Sequence, residues 1–108
     1  MSEYERGDTV WFVDQDYDYL NSTEVVSFGW VKNIDEDEDE TYYTVERYLR
    51  HRGKFVMRER ILRDDEVFDN QDACIAAVMK DKERVLRRDS KSFQKEITDF
   101  IPKRTEEP

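Results

Sequence analysis

The sequence predicts a mainly β fold with C-terminal α (α+β): a small five-stranded antiparallel barrel followed by one long or two shorter helices. Three observations predict it. Short runs rich in β-branched and aromatic residues fill the first two-thirds of the 108-residue chain, with turn-forming or charged residues between them. One run, residues 23–34 (TEVVSFGWVKNI), is long for a strand and carries Gly29 near its middle, where a strand can bend or bulge and so serve both sheets of a barrel. After residue 70 the apolar period changes from two to a helical one.

Taken in order, Gly7-Asp8 is a turn pair and residues 9–13 (TVWFV) are the first strand, with Val10 and Phe12 on one face and Trp11 and Val13 on the other. Residues 14–22 (DQDYDYLNS) read as a prominent loop before the bent strand. Six consecutive acids, Asp35, Glu36, Asp37, Glu38, Asp39 and Glu40, repel one another, stay solvated and mark a hairpin tip. Residues 41–50 (TYYTVERYLR) and 54–62 (KFVMRERIL) are the next strands, joined by His51-Arg52-Gly53, and Val67 with Phe68 is expected to plug the barrel floor.

Asp69 or Asn70 caps a helix that starts at Gln71, with Ile75, Val78, Met79 and Leu86 in its apolar stripe. Phe93, Ile97, Phe100 and Ile101 continue at helical spacing. Two readings stay open: Ser90 caps a second helix, or one helix of about thirty residues projects past the barrel with an apolar stripe that needs a partner. Pro102 is expected to stop the helix. The resulting organisation is a barrel over 1–68, a helical segment over 69–101 and a frayed tail over 102–108.

Charge divides the chain. Residues 1–50 carry 14 acids against four bases, while residues 51–108 carry 13 acids and 14 bases, so the net −9 belongs to the N-terminal half. A field of that sign repels nucleic acid and attracts basic surfaces, so direct nucleic-acid binding is not expected. The lone Cys74 excludes a disulfide within the chain, no apolar run is long enough for a membrane span, and the first residues lack the features of a secretory signal. The expected location is the cytoplasm, with no membrane contact.

Catalytic and cofactor signatures are absent. There is no phosphate-cradling glycine loop and no H-E-x-x-H, and the one histidine, His51, sits in a turn between two arginines. Asp14, Asp16 and Asp18 open like a calcium loop, but Tyr19 stands where that loop needs glycine and Val25 where it needs glutamate. Cys74 at the start of a helix suits the seam between helix and barrel better than catalysis. No metal, no cofactor and no enzymatic activity are expected.

The candidate binding residues are therefore acids and aromatics: Asp14, Asp16 and Asp18, the acid run 35–40, and Trp11, Tyr17 and Tyr19. Beside Asp16 and Asp18 these three rings are candidates for an aromatic cage holding a cationic peptide, the alternative being that they cover the core. Several acid-bearing segments side by side would instead imitate a nucleic-acid backbone, if they lie adjacent. Phe93, Ile97 and Phe100 form a helical stripe for a partner or for homo-oligomerisation through the C-terminal helix.

The succession GDTVWFV (7–13), then Val26, Gly29, Val31 and Ile34, then Tyr43 and Val45, then ERIL and VFDNQDACIAAV (67–78), resembles the small SH3-like barrel proteins common in phage and bacterial genomes. The resemblance covers residues 5–80 and rests on structural motifs. It implies an SH3-like barrel with a docked helix, and adaptor work more than chemistry. The chain departs from the pattern in its acid run and in the extension after Lys80. The expectation is a non-enzymatic protein–protein interaction module, a phage or bacterial accessory protein that binds and regulates or inhibits a basic, nucleic-acid-binding host protein. The alternatives are an acidic nucleic-acid mimic and an aromatic-cage reader of a cationic peptide.

Overall fold

Each of the β-branched runs becomes a strand. In the computed structural model, which describes residues 3–16, 23–78 and 83–105, these are β1 (Thr9–Asp16), β2 (Thr23–Glu36), β3 (Thr41–His51) and β4 (Lys54–Arg63). They form one open antiparallel sheet in the order β1-β2-β3-β4. A 3-10 turn (Asp64–Glu66), α1 (Gln71–Val78) and α2 (Glu83–Thr105) follow. Among the described residues no helix is long and apolar enough to cross a membrane.

β2 is a single strand that changes partner. From Thr23 to Trp30 it pairs with β1, and from Trp30 to Glu36 with β3. The irregularity expected at Gly29 lies instead at Lys32, where the register shifts between Val31 and Asn33. Gly29 answers a different need. A Cβ there would stand 2.5 Å from the Glu46 carbonyl oxygen and 2.8 Å from a Val45 methyl, so β3 passes too close for any side chain. The β3–β4 hairpin closes on Arg52 and Gly53, both at positive φ (54° and 74°), the backbone of a tight two-residue turn.

The described residues contain four strands and no closed barrel, which corrects the five-stranded expectation. Phe68, expected to plug the floor with Val67, instead makes one bridge to Trp11, with N···O distances of 2.9 and 2.8 Å in the two directions. Extending that register would put Val13 opposite Glu66 and Thr9 opposite Asn70. Glu66 is held in the 3-10 turn, where its side chain accepts from the Arg63 N–H at 2.8 Å. Asn70 caps α1, its Oδ1 accepting from the Ala73 N–H at 2.8 Å. Too little extended chain is left for a strand. Beyond the bridge, the outer edge of β1 is closed by side chains: Arg60 donates to the Val13 carbonyl at 2.7 Å, and the Gln15 N–H donates to Asp14 at 2.9 Å.

Among the described residues three apolar clusters hold the elements together. Tyr4, Val10, Phe12, Val31, Tyr43, Val45, Leu62 and Val67 fill the inside of the bent sheet, so Val67 does serve as its floor. Val26, Cys74 and Ile75, with Trp11, Val13 and Phe68 beside them, seat α1. Val25, Tyr48, Phe93 and Ile97, with Phe28, Trp30, Phe55 and Met57, seat α2. Met79 and the Leu86 side chain lie outside the described residues.

The two-helix reading is the one found, although Ser90 lies inside α2 and is no cap. Its hydroxyl accepts from the Val26 N–H at 2.5 Å, while Gln94 one turn later donates to the Val26 carbonyl at 2.7 Å. Val26 lies in the half of β2 that β3 does not reach. Two side chains of α2 thus satisfy backbone groups that a neighbouring strand would otherwise take. α2 continues through Pro102 to Thr105, beyond the stop expected from proline. The ring removes one N–H near the end of the helix, where few turns remain to be broken.

Candidate functional site

Alternation along β1 places Asp14 and Asp16 on the same inward face as Val10 and Phe12. Both carboxylates are buried, 1% and 0% exposed. Asp14 accepts from Arg47 Nε at 3.0 Å and lies 3.4 Å from Arg60 Nη1. Asp16 accepts from Arg50 Nε at 3.2 Å and from Arg50 Nη2, while Arg50 Nη1 reaches on to Glu96 of α2. These acceptors hold the Arg50 guanidinium pKa above its ordinary value, the Asp16 hydrogen bond being the largest cause. Arg50 also lies over the Phe93 ring, 5.7 Å from its centroid. Asp14 and Asp16 are therefore removed from the expected surface set: they belong to a buried ionic seam that ties β1 to β3, β4 and α2.

The helical stripe is corrected in the same way. Phe93 and Ile97 are 0% and 1% exposed in the cluster under α2. Phe100, 37% exposed, packs its ring against Tyr48 and Phe55 at centroid distances of 5.2 and 5.6 Å. The chain's own sheet covers the stripe that was expected to need a partner. Trp11 is half-buried beside Phe28, ring centroids 5.2 Å apart, and helps seat α1. Tyr17, Asp18 and Tyr19 lie outside the described residues.

The acid run 35–40 has the opposite environment. Asp35 and Glu36 end β2, opposite Tyr42 and Thr41 of β3, and the chain turns over residues 37–40. The turn is closed by Asp37 N–H to Glu40 O at 2.8 Å and by Glu38 N–H to the Asp37 carboxylate at 2.8 Å. All six side chains are exposed, and none is in an ion pair among the described residues. The Tyr42 hydroxyl donates to Glu40, which raises the phenol's pKa.

The sheet register adds acids that the sequence reading left aside. Asp35 faces Tyr42, and Tyr42 faces Arg63, so one row crosses three strands over about 10 Å at the usual inter-strand spacing. The next residues after Arg63 are the exposed Asp64 and Asp65 and the half-buried Glu66. Arg63 lies 3.7 Å from Asp65 and 3.6 Å from Glu66. Behind the row, Tyr43 donates to Asp64 at 3.0 Å and Tyr4 to Asp69 at 2.8 Å. Burial first, then those carboxylates, raises both phenol pKa values. One end of the molecule thus presents exposed acids on the β2–β3 hairpin.

The sequence held a signal for both outcomes. Parity from Val10 and Phe12 already assigns Asp14 and Asp16 to the inner face, and parity from Tyr43 and Val45 assigns Arg47 to it. Nothing local names Asp16 as the partner of Arg50, 34 residues away. Among the described residues no group of three His, Cys, Asp or Glu side chains is placed to hold a metal ion. No family model, curated protein or solved structure matches this chain.

Proposed function

We propose that the protein is a non-enzymatic interaction module whose acidic end docks on a basic surface of another protein. In this reading the β-sheet and its two helices are the scaffold, similar to a small SH3-like barrel with a docked helix. The work is that of a phage or bacterial accessory protein regulating or inhibiting a basic, nucleic-acid-binding factor. The carrying observation is the segregation of the acids. Those of β1 are neutralised internally by arginine, whereas the six at the β2–β3 tip are exposed and continuous with Asp64–Glu66. Unpaired charge gathered at one end gives a local potential that steers a cationic surface to that end and fixes its orientation.

The geometry favours docking over imitation of a nucleic-acid backbone. Asp14 pairs with Val25, ten residues along β2 from Asp35, so the two acid groups are separated by about 33 Å of strand. Among the described residues, side-by-side acids of the kind mimicry requires stand at the tip.

The test is affinity capture with the parent chain and with a variant in which the six tip acids become Asn and Gln. Basic proteins should be retained by the parent, released as salt rises toward about 0.5 M, and lost by the variant. Identical captured sets from both chains would overturn the reading.

A further inference from the structure

The opposite end of β3 carries the opposite charge in a concave setting. A groove of about 440 Å³ opens on the inward face of the β3–β4 hairpin, lined by Arg47, Leu49, His51, Val56, Arg58 and Glu59. Its size is in the range typical of ligand sites, roughly 300 to 1,000 Å³. Leu49, 7% exposed, and Val56 stand opposite one another and give it an apolar floor. Arg47 and Arg58 are likewise directly opposite, a like-charge cross-strand pair that is unfavourable without an anion nearby.

Asp14 supplies that anion only on one side. It is shared between Arg47 and Arg60, so among the described residues this trio keeps one uncompensated positive charge. Glu59 on the rim is neutralised by Lys32. Arg58 is exposed and donates to the carbonyl of its own neighbour Met57 at 2.9 Å, with no carboxylate partner among the described residues. Lys54, exposed at the start of β4, adds another cation without an ion pair among them.

We infer that this groove receives the acidic β2–β3 tip of a second copy of the chain. The occupant is argued from complementarity on the same molecule: a narrow exposed turn of carboxylates meets a cationic groove with an unmatched arginine. The tip and the groove lie toward opposite ends of β3, six to ten residue steps or about 20 to 33 Å apart, so a chain cannot fill its own groove. Donor and acceptor surfaces differ, so the contact is head-to-tail and propagates into open chains rather than stopping at a dimer. The net charge of −9 opposes association between whole molecules, but screening over about 8 to 10 Å near physiological salt suppresses that repulsion more than contacts of a few ångströms. The inference rests on the reading of the tip as a docking element. It adds a competitor for that tip, so self-association and binding of a basic partner exclude one another.

The experiment is light scattering on the full chain over a concentration series at about 0.15 M and about 1 M salt. Three proteins are compared: the parent, a groove variant with Lys54→Gln and Arg58→Gln, and a tip variant with all six acids changed to Asn and Gln. The parent should show a mean mass that climbs with concentration at the lower salt and returns to monomer at the higher. Each variant alone should be monomeric, and their equimolar mixture should stop at a dimer, because one intact tip meets one intact groove. A parent that is monomeric throughout overturns the inference, as does association that survives in the groove variant. The groove variant keeps its tip. Its capture of basic proteins, measured alongside, separates failure of this inference from failure of the proposed function.

Discussion

Asp14 and Asp16 on one side, and the acids of the β2–β3 tip on the other, are the same chemical groups used for opposite purposes. The first two have lost nearly all contact with water and are held by guanidinium groups. The tip acids keep their hydration and face no cation among the described residues. A carboxylate deprived of water must find a fixed counter-charge, since desolvation alone would drive it to neutrality. The difference teaches that acid count is a poor guide to an acidic surface. What matters is which acids the sheet leaves unpaired.

The greatest loss of stability is expected in the buried seam. Replacing Asp14 by Ala strands Arg47 in the core and should cost about 3 to 5 kcal/mol in chemical denaturation, a large share of the roughly 5 to 15 kcal/mol that holds a domain folded. Converting Asp14 and Arg47 together to apolar residues of similar size should recover most of that loss, because both fully buried charges are then gone and Arg60, 37% exposed, keeps access to water. A double variant as unstable as the single one would show that the pair does more than neutralise itself.

Next in size is the attachment of α2 to the sheet beside that seam. Ser90→Ala leaves the buried Val26 N–H without its acceptor and should cost about 1 to 3 kcal/mol, read as a lower denaturation midpoint. Amide exchange at Val26 should accelerate more than at Val45, which lies away from α2.

Cys74 supplies a probe of opening. Burial pushes its thiol pKa up from 9.0 to about 11, so at neutral pH it is protonated and out of reach of alkylating reagents. A raised folded-state value means that this group's contribution to stability is complete below pH 9 and fades as pH rises through about 11. Alkylation in the parent should be slow and limited by opening, and faster in Asp14→Ala. Equal rates in the two would show that the seam does not guard the α1 seat. The smallest effect is expected at the tip, where changing all six acids to amides should move stability by no more than about 0.5 kcal/mol. A larger loss would mean that those side chains are structural after all.

Much of the architecture was legible. Alternating β-branched and aromatic residues marked all four strands, the acid run marked the hairpin tip, and Asp69 or Asn70 marked the start of α1, where the cap is Asn70. The barrel expectation failed at one place, because the 3-10 turn at Asp64–Glu66 and the cap at Asn70 consume the extended chain around Phe68. The candidate site was half legible. The tip acids stand where the sequence put them, but the acids of β1 and the stripe of Phe93 and Ile97 turned inward. Whether an amphipathic helix meets its own sheet or a partner is not encoded in its period.

By itself the sequence determined the local order of strands, turns and helix starts, because those depend on side-chain period and backbone preference over a few residues. The sign and position of its charge were also fixed there. Which charges cancel is set by the folded arrangement. Arg47 reaches Asp14 from the inward face of β3 and Arg50 reaches Asp16 from the face that α2 covers, each across more than thirty residues of chain. Ion pairing of that kind depends on distance in space, and no reading along the chain measures it.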